Sequence, residues 1–208
     1  DSDVNVPVRD LTGTLSITAN SEIIVPQDYT LKLSQAGGLP LGAKALTLSG
    51  GGTLQSEGLD LSHQNSKLLL SSITVDNVTT SESSLGLDID ADSSITSLSV
   101  SNITPVAIAT DKKLSGAITV SAGSLKLTET GTLASAITMS GGKLDADNSM
   151  IISGTLTQEG NATIDVKDEE TVTFNTGTIN TENYQLTLDG EGTVAFPTNA
   201  SGIVLNHE

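Results

Sequence analysis

Cysteine and tryptophan are missing from this chain, and arginine occurs once, at Arg9. Without cysteine there is neither a disulfide framework nor a thiolate metal site. The aromatic side chains are Tyr29, Tyr184, Phe174 and Phe196, too few for the ring platforms on which sugars or bases stack. Nine basic residues against 25 acidic ones give a net charge of -16. That balance argues against nucleic acid, which needs Lys and Arg to displace phosphate counterions, and against an anionic membrane surface. No apolar run approaches the roughly 18 residues that cross a bilayer, so membrane insertion of this segment is not expected. The chain opens at Asp1 without a signal-peptide pattern, so either a leader has been removed or this is a piece of a longer protein. The acidity suits a soluble, secreted molecule.

What is present is register. About a quarter of the 208 residues are Ser or Thr, yet Leu, Ile and Val recur as apolar-x-apolar pairs every seven or eight residues. In the C-terminal half the pairs fall into three series: Ile118, Ile137, Leu156, Ile179; then Leu125, Leu144, Ile164, Leu186; then Leu133, Ile151, Val172, Val194. Each advances by about 18–23 residues per step. Three short strands per repeat, stacked repeat upon repeat, predict a three-sided β-solenoid.

The clearest echo is Ala117-Ile118-Thr119-Val120-Ser121 against Ala136-Ile137-Thr138-Met139-Ser140. Period-two alternation puts Ile118 and Val120 on one face and Ala117 and Thr119 on the other. Turn-formers separate the strands, among them Ala122-Gly123, Gly141-Gly142 and Asp189-Gly190. The N-terminal half repeats less cleanly, with coils centred on Leu15, Ile23, Leu31; on Leu46, Leu54, Leu59; on Leu68, Ile73, Leu87; and on Leu98, Val106, Leu114. The sum is about eight coils in a single all-β domain over 1–208, a right-handed parallel β-helix, with 1–10 as an N-terminal cap. Two stretches exceed the repeat and are expected to protrude as loops: Ser34–Lys44 and Asp76–Ser84. A β-sandwich is the alternative, since short alternating strands also suit one, but a sandwich has no need of self-similarity.

Segments such as Ala45-Leu46-Thr47-Leu48-Ser49-Gly50-Gly51-Gly52-Thr53-Leu54, Ser115-Gly116-Ala117-Ile118-Thr119-Val120 and Ser153-Gly154-Thr155-Leu156-Thr157 resemble the degenerate repeats of secreted bacterial β-helix surface proteins. The relatives meant are autotransporter passenger domains and filamentous-haemagglutinin-like adhesins. The resemblance spans about residues 11–196 and is one of style, without a diagnostic motif. It implies an extracellular or cell-surface protein serving adhesion or as a stalk, and it carries over no functional residues.

Candidate chemistry is sparse. Asp88-Ile89-Asp90-Ala91-Asp92 begins like a calcium loop, but an EF-hand wants Gly sixth and an acid twelfth, where this chain has Ser93 and Ser99. The calcium motif therefore fails, and the run reads as a strand with Leu87 and Ile89 inward and Asp88 and Asp90 in water. Asp145, Asp147 and Asn148, and Asp165, Asp168, Glu169 and Glu170, are turn clusters with enough carboxylate to hold a divalent cation weakly; the preferred reading is solvated turns that keep a rod soluble. A polysaccharide-active β-helix enzyme, the third functional reading, needs clustered carboxylates beside a base or cation. Arg9, His63 and His207 are scattered, and no Ser/His/Asp set presents itself, so no enzyme, no metal site and no cofactor is expected. The sequons at Asn77, Asn102, Asn161 and Asn199 match what Asn, Ser and Thr content gives by chance.

One outward face stands apart. Opposite the first inward series lie Thr14/Ser16, Ala45/Thr47, Ser97/Ser99, Ala117/Thr119, Ala136/Thr138, Thr155/Thr157 and Thr178/Asn180, interrupted by Lys67/Leu69. The second series instead turns Lys126, Asp145 and Asp165 outward. The uncharged ladder suits lateral packing of rods, contact with a protein or surface receptor, or ice; Thr also simply favours exposed strand positions. The expectation is a non-catalytic stalk or adhesin segment whose contact candidates are Ala117, Thr119, Ala136, Thr138, Thr155, Thr157 and Thr178, with an ice-binding solenoid as the alternative.

Overall fold

The computed structural model describes residues 7–34, 39, 41–60, 65–80, 85–177 and 183–196. Among them there is no helix. One nine-stranded sheet contains β2 (Ser21–Ile24), β4 (Ala45–Ser49), β7 (Ser66–Ser71), β9 (Leu85–Ile89), β11 (Ile103–Ile108), β13 (Ser124–Leu127), β16 (Lys143–Ala146), β18 (Ala162–Val166) and β20 (Leu186–Asp189). A twelve-stranded sheet contains β1 (Val8–Leu11), β3 (Thr30–Leu33), β5 (Thr53–Ser56), β6 (Leu59–Asp60), β8 (Thr74–Thr80), β10 (Ser93–Val100), β12 (Lys113–Val120), β14 (Gly131–Leu133), β15 (Ala136–Met139), β17 (Met150–Gln158), β19 (Thr171–Gly177) and β21 (Thr193–Ala195). All pairings between these strands are parallel, and each strand pairs with the one a turn away. That excludes the β-sandwich. The chain is a β-solenoid of about eight turns, roughly 40 Å long at about 4.8 Å per turn.

The solenoid has three faces. The nine-stranded sheet is face 1. The other sheet bends at a corner into face 2, which holds β5, β14 and the first halves of β8, β10, β12 and β17, and face 3, which holds β6, β15 and the second halves. The bend is visible where β14 and β15 both pair with β12 and with β17. Gly116 occupies this corner with φ +117°, and a Cβ there would drive into the carbonyl oxygen of Ile95. Gly154 marks the same corner two turns on, against the carbonyl of Ser135. Only glycine combines that φ with so close a backbone approach.

Period-two alternation points one side chain in two into a shared core. On face 3 the inward column runs Leu59, Val78, Leu98, Ile118, Ile137, Leu156, all at most 2% exposed. On face 1, Leu125, Leu144 and Ile164 stack in register, as the spacing predicts. Burying such a side chain contributes about 1.5–3 kcal/mol, and repeating it at each turn makes stability a sum over neighbouring coils.

Several sequence-based assignments shift. Ile152, not Ile151, stacks on Leu133; Ile151 faces solvent at 44% exposure, because Met150 and Ile152 are the inward pair of a one-residue-offset strand. Leu188, not Leu186, aligns with Ile164, while Leu186 aligns with Ala162 and is buried. Gly177 is the partner of Leu156, and Ile179 lies outside the described residues. Leu87 stacks on Leu68 one turn above, so the third coil is closed by Val75 and Val78 instead. Asp76–Thr80, expected as loop, belongs to β8, because Val75, Val78 and Thr80 point inward beneath a polar exterior; 81–84 lie outside the described residues. From the other expected loop, Leu39 and Leu41 are core residues rather than protruding ones. In the stretch expected as a cap, Val8–Leu11 forms the exposed edge strand β1, parallel to β3.

Candidate functional site

Face 3 assembles the small-residue ladder from strand register. Thr119 pairs with Thr138 and Thr138 with Thr157, while Ala117 pairs with Ala136 and Thr155 with Thr176. Toward the N-terminus the columns continue through Ser99 to Thr79, and through Ser97 to Asn77. Asn77 and Thr79 escape the sequence reading because they sit inside the stretch taken for a loop; the inward alternation Val78-x-Thr80 is the signal that places them. Asp60 stands one turn further down, beside Thr79. From β8 to β17 the two outward columns hold only Asn, Ser, Thr and Ala. Four inter-strand steps of about 4.8 Å make this strip about 19 Å tall.

Other expected members fall elsewhere. Ala45 and Thr47 lie on face 1, in register with Lys67 and Leu69, so that pair does not interrupt the ladder. The period alone assigned them to the wrong face because the N-terminal turns are longer than 19 residues: Leu46 to Leu68 is 22, and Ile23 to Leu48 is 25. Thr14 and Ser16 are outside any strand. Thr178 and Asn180 lie outside the described residues.

Face 1 is charged. Lys126 stacks on Asp145 and Asp145 on Asp165, while Lys143 occupies the next outward column. Lys126 Nζ lies 2.9 Å from Asp147 and 3.7 Å from Asp145; Lys143 Nζ lies 2.7 Å from Asp165 and 3.6 Å from Asp145. The hydrogen bond to Asp147 raises the Lys126 pKa against an opposing effect of partial burial, and the Asp145 charge adds to it. Lys143 is raised in the same way, first by Asp165 and then by Asp145. The Asp145 and Asp165 carboxylates are thereby spoken for by ammonium groups. The DxDxD run is dispersed too: Asp88 pairs with Lys67, and Asp92 accepts the Lys113 backbone N–H at 3.0 Å. In the last cluster Glu170 accepts from Ser149 Oγ at 2.7 Å, and Asp168 accepts the Glu169 N–H. Among the described residues no three acidic or histidine side chains converge as a metal cluster would. Arg9 sits in the edge strand β1, and His63 and His207 lie outside the described residues.

Face 2 carries a feature that no motif announced. A groove of about 480 Å³ crosses successive turns, lined mainly by polar residues, among them Gln27, Ser72, Thr74, Asp92, Ser94 and Lys113, with Ile73 and Ala134 as its apolar members. Its depth comes from small side chains stacked in one column, Thr74 on Ser94 on Ser115. Ser72 turns the chain at its edge in a left-handed conformation, φ 55°.

Compared with known proteins, the chain matches no family model, no curated sequence and no solved structure.

Proposed function

We propose that this solenoid is a non-catalytic structural segment, a stalk or adhesin rod of an extracellular or cell-surface protein, and that its lateral contacts form through face 3. The observation that supports this reading is the uncharged double column from Asn77 and Thr79 to Thr155 and Thr157, on a molecule whose net charge is -16. Carboxylates on other faces repel an equally acidic neighbour within about 8 Å at physiological salt, and they resist desolvation. Ala and Thr add little: Ala loses no rotamer entropy, and Thr is already stiff at χ1. Two columns on five strands present on the order of 200 Å² of contact surface, against about 800 Å² per partner in a stable complex. One rod therefore binds weakly, and firm attachment comes from many rods or turns engaging together. The resemblance to autotransporter passengers and haemagglutinin-like adhesins agrees with such a role.

Ice is the second reading. The observation favouring it is the registered column Thr119, Thr138, Thr157, one methyl and one hydroxyl at each turn.

Thr138→Lys together with Thr157→Lys tests both, with Thr187→Lys on exposed face 1 as control. Circular dichroism should show an intact solenoid in each. Sedimentation and surface-adhesion assays should show weaker contact for the double variant alone; loss of thermal hysteresis instead would select ice. Contact that survives the double variant and fails in the control would overturn the face 3 assignment.

A further inference from the structure

We propose that the groove on face 2 binds a neutral saccharide chain lying along the solenoid axis. This goes beyond the face 3 reading and does not depend on it. The groove runs from Gln27, near the first turn, past Ser72, Thr74, Asp92 and Ser94 to Lys113, so a ligand along it crosses several turns. Thr74 and Ser94 are paired in register, which sets one hydroxyl per turn, about 4.8 Å apart and comparable with the length of one pyranose residue. The side chains of Gln27, Ser72, Thr74 and Ser94 have no hydrogen-bond partner among the described residues, so they remain available to a ligand. Asp92 supplies an acceptor and Lys113 a donor, and together they leave the groove without net charge. Such a mixture of donors and acceptors answers sugar hydroxyls, each of which both donates and accepts.

Other ligand classes fit less well. A peptide docks by adding to a strand edge or by filling apolar pockets. Here the strands beneath are paired on both edges, β10 with β8 and with β12, and the lining is mostly polar, with hydroxyls, the Gln27 amide and the Asp92 and Lys113 charges outnumbering the apolar Ile73 and Ala134. A polyanion meets a surface of net charge -16, against which Lys113 alone is a small counterweight. No ring lines the groove, so stacking contributes nothing and affinity rests on hydrogen bonds; dissociation constants of about 1 mM follow, useful only to a repeated glycan.

Saturation-transfer NMR and calorimetry with neutral hexasaccharides, α- and β-linked glucans, xylan and mannan, against hexagalacturonate as the anionic chain, test this. At least one neutral chain should bind. Ser94→Arg, which fills the groove, should weaken it at least tenfold, and Thr74→Val with Ser94→Ala, which removes hydroxyls without adding bulk, should weaken it several-fold. The Thr138→Lys, Thr157→Lys protein should bind as the parent does, which separates this site from face 3. Binding by none of the neutral chains, binding of hexagalacturonate alone, or neutral binding untouched by both groove variants would each overturn the proposal.

Discussion

Faces 1 and 3 share one core and show opposite exteriors. Inward, both present Leu, Ile and Val columns at nearly zero exposure. Outward, face 3 carries Ala117, Thr119, Ala136 and Thr138, whereas face 1 at the same height carries Lys126, Lys143 and Asp145. The same stacking geometry therefore accepts either exterior. Fold information resides in the inward columns, and surface chemistry is free to vary on strands of identical pitch. Substitutions that act inward should damage both faces together, while outward ones should stay confined to one.

The largest effect is expected inside. Ile137 is fully buried between Ile118 and Leu156. Ile137→Asp places an unpaired carboxylate there and should cost on the order of 3 kcal/mol or more, read as a collapse of the urea midpoint. Because neighbouring coils stabilise one another, the loss should reach face 1 as well, and hydrogen exchange should quicken in Leu144 as much as in Thr138. Protection retained on face 1 would show that the faces are independent. Gly116→Ala comes next. The left-handed φ and the close carbonyl of Ile95 together should cost about 2 kcal/mol or more. A smaller loss would mean that the corner relaxes. Gln158 stacks on Met139 in an inward face 3 column, with Nε2 bonded to the Gly160 carbonyl at 3.0 Å and Oε1 buried with no partner among the described residues. Gln158→Met should therefore stabilise by about 1 kcal/mol, measurable in the same denaturation experiment.

How much of this was legible in the sequence differs between the two halves. Between Ala117 and Thr157 the repeat length is constant at 19 residues on face 3, so Ile118, Ile137, Leu156 and their outward Thr partners could be placed correctly. Where turns lengthen, period alone misassigns faces: Thr47 went to the wrong sheet and Leu186 to the wrong column. Ile151 failed for a different reason. Met150-Ile151-Ile152 offers three apolar residues in a row, and alternation cannot say which parity faces the core until the partner strand fixes it. β8 was hidden because Ser and Thr serve both loops and exposed strand positions. The groove left no sequence signal at all, since it arises from residues some 20 positions apart whose small size matters only after stacking. The Lys143–Asp165 pair lies 22 residues apart and was invisible for the same reason.

The smallest effect belongs to the charges of face 1. Lys143 bridges Asp145 and Asp165 across the stacked strands β16 and β18, yet its side chain is 35% exposed. Exposed pairs of this kind contribute about 0–1 kcal/mol. Lys143→Met should accordingly lower stability by less than about 1 kcal/mol, and the difference should fade in 1 M salt, where screening acts within about 3 Å. Titration gives the same contact an independent signature. The carboxylates raise the Lys126 and Lys143 pKa values above 10.5, so folding binds these protons more tightly than the unfolded chain does. Their contribution is fully present below pH 10.5 and is lost as pH climbs through the higher folded values. Thermal melts should thus be flat in this respect through neutral pH and decline above about 10.5. The decline should be shallower in a Lys126→Met, Lys143→Met protein. An identical decline in parent and variant would assign the alkaline loss to general charge repulsion and leave face 1 with no more energetic role than the uncharged exterior of face 3.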